Sequence, residues 1–114
     1  MTGLERNADV VELCTYAPLF AHVDAWQWRP DLIWFDNLNI VKTPNYYVQQ
    51  LYGHNAGTNV LPLTMNKEAV TGQSELFATA ALDKGTNELI IKIVNTGIQS
   101  KKIQLNLNGI SSGK

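Results

Sequence analysis

The sequence predicts a mainly β chain with one or two helices, and three observations carry that reading. Apolar and polar residues alternate along three successive stretches between residues 76 and 107, with turn residues between them. A β-branched, largely apolar run occupies Val10–Tyr16. The clearest helix signal, Thr43-Pro44, stands between these two regions. Strict alternation puts one kind of side chain on one face of a pleated strand, a pattern that a helix would scatter around its axis.

The elements follow in order. Met1–Ala8 forms a short helix, since Thr2 and Glu5 stand at capping-box spacing; so few residues make only a marginal helix by themselves. Val10-Val11-Glu12-Leu13-Cys14-Thr15-Tyr16 reads as a strand buried on both faces, and Pro18 ends regular pairing soon after it. Leu19 to Asn37 is an aromatic stretch, in which Phe20, Trp26, Trp28, Trp34 and Phe35 are interleaved with His22, Asp24, Arg29, Asp31 and Asp36. Thr43 as N-cap with proline at the first helical position predicts a helix from Pro44 to Tyr52, ended by Gly53. Tyr47, Val48, Leu51 and Tyr52 share one face of that helix and should pack against a neighbour.

Beyond it the strands are short. Leu76, Ala78, Ala80 and Leu82 alternate, Asp83-Lys84-Gly85-Thr86 turns the chain, and Leu89, Ile91 and Ile93 alternate next. After the turn residues Asn95-Thr96-Gly97, Ile103, Leu105 and Leu107 alternate against Lys102, Gln104, Asn106 and Asn108. The result is an antiparallel meander with one apolar face. Such a face needs a second layer, and too little chain follows Leu107 to supply one, so an incomplete domain is expected. All three Trp and all four Tyr precede residue 61. That shift in composition places a boundary near Thr58–Pro62 and divides the chain into residues 1–58 and 59–114.

Composition narrows the function classes. The 114 residues are 45% hydrophobic and 17% charged, a globular balance for one small domain's worth of chain. Nine Lys and Arg against ten Asp and Glu leave a net charge of −1, without the concentrated basic surface that nucleic acid requires. One cysteine rules out an internal disulfide and any multi-thiolate zinc site. No apolar stretch approaches the roughly 18–20 residues of a membrane span, and no leader of charged and then apolar residues opens the chain. The compartment is left open.

Most candidate chemistry reduces to ordinary structure. Glu5, Asp9 and Glu12 fall at helical spacing and read as a solvated helix face. His22 and His54 lack a nearby cysteine or third histidine, so no metal site is expected, and no cofactor is called for. Cys14 lies in an apolar run with no base beside it and reads as buried and inert. Neither a glycine-rich phosphate loop nor a Gly-x-Ser-x-Gly elbow is present, and nucleophilic catalysis has no candidate. The aromatic stretch differs. In an extended chain Trp26, Trp28 and Asp24 share one side. Indole faces beside a carboxylate suit the C–H faces and hydroxyls of a sugar. Plain core packing accounts for the same indoles, and both alternatives stand at this point.

Two blocks, Met1-Thr2-Gly3-Leu4-Glu5-Arg6-Asn7-Ala8-Asp9-Val10-Val11 and Tyr16-Ala17-Pro18-Leu19-Phe20, resemble the C-terminal part of the α-L-arabinofuranosidases of glycoside hydrolase family 51. The similarity continues through Asp24-Ala25-Trp26-Gln27-Trp28, Pro30-Asp31-Leu32-Ile33-Trp34-Phe35-Asp36-Asn37 and Thr43-Pro44-Asn45-Tyr46-Tyr47-Val48-Gln49. It covers residues 1–62 strongly and the later strands weakly, although Lys92-Ile93-Val94-Asn95 also looks like the family's terminal sheet.

The resemblance implies a retaining glycosidase that removes terminal α-L-arabinofuranosyl groups from arabinan or arabinoxylan. It also implies the end of a (β/α)8 barrel followed by part of an antiparallel β-sandwich domain. Asp9–Tyr16 would be the last barrel strand and Pro44–Tyr52 the last barrel helix, with the sandwich entered after Thr58. Retaining hydrolysis uses two carboxyl groups roughly 5–5.5 Å apart. In the family both are glutamates on earlier barrel strands, and a whole barrel takes about 250 residues. None of Glu5, Glu12, Glu68, Glu75 or Glu88 matches a catalytic motif, so the catalytic set here is empty and the fragment itself is expected to be inactive. Sites form at the C-terminal face of such barrels, so Asp24, Trp26, Trp28 and Asn37 are expected to line or approach the sugar site. A glutamine that some members place against the sugar corresponds here to Pro18, and that contact does not carry over. The implied partner is an arabinose-containing polysaccharide or oligosaccharide reached through the parent enzyme. Exposed apolar surface on the fragment favours self-association. The rival reading is a non-catalytic carbohydrate-binding or structural β module.

Overall fold

A computed structural model describes residues 1–109, and its elements start at the amino terminus with helix α1, Thr2–Arg6. Met1 is its N-cap and no side chain caps it, so the expected Thr2–Glu5 box does not form. The reason is tertiary: Thr2 is buried and Glu5 is engaged by Lys92, far along the chain. Asn7 closes the other end, its Nδ2 donating to the Gly3 carbonyl at 2.7 Å.

The segment Val10–Tyr16 carries no strand. Val10 and Leu13 are exposed, and Cys14 is exposed too, contrary to the buried position expected for it. A strand is held by ladder bonds to a neighbour about 4.8 Å away, and among the described residues nothing pairs with this segment. Three short strands follow: β1, Phe20–His22, β2, Ile33–Phe35, and β3, Ile40–Lys42. They form a sheet of order β1-β2-β3, the first pair parallel and the second antiparallel.

Helix α2 spans Pro44–His54 and begins at Thr43-Pro44 as the sequence predicts. It runs through Gly53, and Asn55 ends it, donating its backbone N–H and its Nδ2 to the Leu51 carbonyl at 3.2 and 2.8 Å. Glycine stops a helix where the chain turns left-handed after it, and here an asparagine side chain does the closing. Only Tyr52 of the expected apolar face is buried; Tyr47, Val48 and Leu51 are exposed.

The second sheet is built on the predicted hairpin. Strand β4, Asn59–Leu61, pairs antiparallel with β7, Leu76–Asp83, which pairs antiparallel with β8, Glu88–Asn95. The register sets Ala78 opposite Ile93, Ala80 opposite Ile91 and Leu82 opposite Leu89, which is the apolar face expected from alternation. The turn forms where expected: Asp83 accepts from the Gly85 N–H at 2.8 Å and from Thr86 Oγ1 at 3.1 Å. Between β4 and β7 lies a small hairpin that the sequence reading missed, β5, Thr64–Met65, and β6, Glu68–Ala69. Its turn residues Asn66 and Lys67 have φ of 55° and 71°, the left-handed pair that a two-residue hairpin turn needs. Val70, Leu76 and Ala78, with Leu63 and Met65 against them, form the core on this side.

The other face of β7 is covered as well. Helix α1 packs on it, and Arg6 donates to the carbonyls of Val70 and Ala78 at 3.0 and 2.9 Å. Glu5 pairs with Lys92, which stands opposite Thr79 in the hairpin register and also lies 4.7 Å from the Tyr52 ring centre. Glu5 is therefore part of a shielded ion pair and not of a solvated face. Burial, with the Glu5 carboxylate nearby, pushes the Tyr52 phenol above its ordinary 10.0, and Arg6 works against this.

The third predicted strand, Ile103–Leu107, is unpaired and exposed. Lys101 ties the chain back to the Gln73–Glu75 turn through Ser74 and Glu75, and the residues after it reach no ladder partner. The far end of the proposed second part, residues 110–114, lies outside the described residues. Among the described residues no helix is long and apolar enough to cross a membrane.

Candidate functional site

The aromatic stretch wraps the small sheet β1-β2-β3 on both faces, and the register decides which residue lies where. Phe20 stands opposite Ile33, His22 opposite Phe35, and Phe35 opposite Ile40, so these share one face. Trp34, opposite Ala21 and Val41, points to the other.

On the first face, the Phe35 ring stands nearly perpendicular to those of Phe20 and His22 at separations of 6.3 and 5.3 Å. A cavity of about 540 Å³ opens there, lined by Phe20, Phe35, Asn37, Leu38 and Ile40 among others. The β2–β3 turn at its rim is held by Asp36. Its Oδ1 accepts from the Leu38 and Asn39 N–H groups at 2.7 and 2.6 Å, and Asn39 Nδ2 reaches both oxygens at 3.3 and 3.1 Å. The Leu38 amide first, then the Asn39 side chain and amide, hold the Asp36 carboxyl below its ordinary 3.8. A depressed native value means the turn gains from ionisation above the unfolded value and loses that gain as pH falls through the native one. The expected result is faster amide exchange at Leu38 and Asn39 below about pH 4 than the intrinsic pH dependence predicts, absent in Asp36→Asn.

On the second face, Trp34 packs edge-on against Trp26 at 6.1 Å. The Arg29 guanidinium lies 4.5 Å from the Trp26 ring centre and 5.5 Å from that of Trp34, a cation–π arrangement worth about 0.5–1 kcal/mol where exposed. A smaller cavity of about 250 Å³ is lined by Arg29, Pro30, Asp31, Trp34 and Thr43.

The four residues singled out from the sequence do not converge. The chain turns after β1, the Ala25 N–H donating to the His22 carbonyl at 3.1 Å, so an extended chain's period of two does not hold from Asp24 to Trp28. Asp24 is exposed and gives its backbone N–H to His22 Nδ1 at 3.2 Å. Trp26 packs on Trp34 with Arg29 over it, so part of its surface is taken. Trp28 is 61% exposed. Asn37 lies on the cavity of the opposite face of the sheet. Arg29, Asp31 and Thr43, which line the smaller cavity, are not among the four. The one signal for two of them was a charged pair flanking Pro30 inside an aromatic run. Among the described residues, no group of three or more His, Cys, Asp or Glu side chains is placed to hold a metal ion.

The profile of the alpha-L-arabinofuranosidase C-terminal domain family matches residues 1–114. The chain is 58% identical over 62 residues to an extracellular exo-alpha-L-arabinofuranosidase of Streptomyces chartreusis, 54% of this chain and 8% of that protein. Over 113 residues it is 33% identical to alpha-L-arabinofuranosidase 1 of Arabidopsis thaliana, covering 96% of this chain and 16% of the relative. A solved structure of an arabinose-bound α-L-arabinofuranosidase of glycoside hydrolase family 51 superposes with a TM-score of 0.75 at 37% identity, over 85% of this chain and 15% of that one. The chain thus spans less than a fifth of the length of each of these relatives.

Proposed function

The chain belongs to the alpha-L-arabinofuranosidase C-terminal domain family, and from that premise we propose that it is the closing portion of a retaining glycosidase. The parent polypeptide would release terminal α-L-arabinofuranosyl groups from arabinan or arabinoxylan, while this portion by itself hydrolyses nothing. The family match over residues 1–114 carries the reading.

The carboxylates support the second half of it. Glu5 is engaged by Lys92, Glu75 by Lys101 and Glu88 by Thr86, while Glu12 and Glu68 stand exposed in separate segments. A retaining mechanism needs a facing nucleophile and acid/base, and we assign both to glutamates upstream in the parent. Residues 1–58 would complete its barrel and residues 59–114 begin its β-sandwich. Of Asp24, Trp26, Trp28 and Asn37, proposed to approach the glycan, Trp28 has the indole most open to a sugar face. The exposed apolar groups Leu38, Ile40, Val41 and Leu51 would meet the rest of the parent, and in the free chain would drive self-association.

The pure 114-residue chain is expected to release no nitrophenol from 4-nitrophenyl α-L-arabinofuranoside above the blank. Robust turnover would overturn the proposal. An antibody to this segment should detect a species several-fold heavier than 114 residues in the source cells; a species of this size alone would equally count against it.

A further inference from the structure

The backbone hydrogen bonds of β7 show which groups of β8 face outwards. The Ala78 N–H donates to the Val70 carbonyl, and the Leu76 and Leu82 carbonyls accept from the N–H groups of Gly72 and Thr58. The even-numbered residues of β7 therefore direct their backbone groups away from β8. In an antiparallel ladder successive residues point to opposite sides, so Phe77, Thr79 and Ala81 bond to Val94, Lys92 and Ile90. Leu89, Ile91 and Ile93 are left with their N–H and carbonyl groups on the outer edge. There β8 is the last strand of its sheet, and no described residue pairs with it. Such an edge is a template for another strand.

We propose that this edge is an interface with a second copy of the chain, whose Ile103–Leu107 segment lies along it as an added antiparallel strand. The segment has a strand's period, stands exposed and has no ladder partner in its own chain. Its own β8 edge is on the wrong side. The Thr96 N–H and Oγ1 donate to the Glu75 carbonyl at 2.9 and 3.0 Å, and Lys101 is bound to Ser74 and Glu75, so the chain leaves the hairpin across the start of β7. Side chains fix the register. Setting Ile103, Leu105 and Leu107 opposite Ile93, Ile91 and Leu89 continues the apolar face of the β7–β8 hairpin. It opposes no like charges, with Gln104 at Lys92 and Asn108 at Glu88. A slip of two residues one way puts Lys102 opposite Lys92, and the other way puts Ile103 opposite Asn95. In the favoured register the three apolar residues meet the three whose backbone groups face outwards, each pair exchanging N–H···O=C bonds. Donation is mutual: each copy gives its segment and receives the other's, the self-complementary pattern of a two-fold dimer. The inference uses neither the family reading nor the exposed apolar groups assigned above to contacts within the parent.

Sedimentation of the 114-residue chain from micromolar to millimolar concentration is expected to show a monomer–dimer equilibrium. Amide exchange at Leu89, Ile91 and Ile93 should slow tenfold or more as the dimer fills. Ile90, Lys92 and Val94 are the internal control, since β7 protects them in either state. Leu105→Pro removes the N–H that meets the Ile91 carbonyl, in a segment outside the monomer's own ladders. It should weaken dimerisation tenfold or more and leave the melting temperature of the dilute monomer unchanged. Val41→Lys, on the exposed face of β3, should leave the dimer intact. Four results would each overturn the proposal: a monomer throughout, no added protection at the three amides, loss of the dimer in Val41→Lys, or a dimer as strong in Leu105→Pro as in wild type. The last is what two β8 edges pairing directly would give. The hydrolysis assay tests the family reading separately, since dimerisation requires no turnover.

Discussion

Lys92→Met is expected to destabilise the folded chain by about 3–5 kcal/mol, the usual cost of removing one member of a buried ion pair. The Lys92 and Glu5 side chains are 8% and 16% exposed, so the pair is shielded on both sides. Its removal would leave Glu5 enclosed without its cation, and Glu5 Oε2 is already buried with no partner. The Lys92 ammonium also faces the Tyr52 ring, a further contact that methionine keeps only in its apolar part. Small domains hold only about 5–15 kcal/mol in total, so much of the folded population is at stake. The midpoint of urea unfolding gives the measurement. The double variant Glu5→Leu, Lys92→Met should recover most of the loss, because apolar groups of similar volume replace a buried pair at little cost. A single-variant loss under about 1 kcal/mol is what exposed pairs show and would mean that the junction between α1 and β8 is open to water.

Gly57→Ala is expected to cost about 3 kcal/mol, at the upper end of overpacking penalties. A Cβ at Gly57 would meet Ala81 Cβ at 2.6 Å and the Leu82 carbonyl oxygen and carbon at 3.0 and 3.2 Å. Two of those atoms are β7 backbone, held in the sheet by pairing with β4 and β8, so they do not yield as a side chain would. The next residue fixes the approach: Thr58 donates its N–H and its Oγ1 to the Leu82 carbonyl at 2.8 and 3.0 Å. Gly53→Ala makes the comparison. That glycine lies inside α2 with nothing within 4 Å of its would-be Cβ, and alanine there should stabilise by about 0.5–1 kcal/mol. Thermal melts of the two variants should move in opposite directions. A common direction would show that residues 56–58 do not lie against β7 as described.

The legible parts of the chain were those whose signal is local. The start of α2 could be read because proline at the first helical turn gives up only an N–H that has no partner in the helix. The turn after β7 could be read because Asp83 binds the N–H two residues on. The β5–β6 hairpin is just as local, and Asn66 at its turn is the sequence sign of it. The two strands that failed, Val10–Tyr16 and Ile103–Leu107, have suitable composition and no partner. Propensity for a strand is largely fit to a neighbouring strand, and composition says nothing about whether one is present.

The candidate site was less legible than the fold, for the same reason. An aromatic stretch containing charges marked the region, yet Trp26 and Asn37 lie on opposite faces of the small sheet, while Arg29 and Asp31 share a cavity. Alternation and turn chemistry in the sequence alone determined the β7–β8 hairpin and the apolar face of β7, since each side chain's direction follows from its place along a regular backbone. Tertiary structure alone decided that Glu5 meets Lys92, that Gly57 lies against β7 and that Asp31 is enclosed without a donor. Each of these depends on which distant segments come together, and desolvation and close contact act only once they have done so.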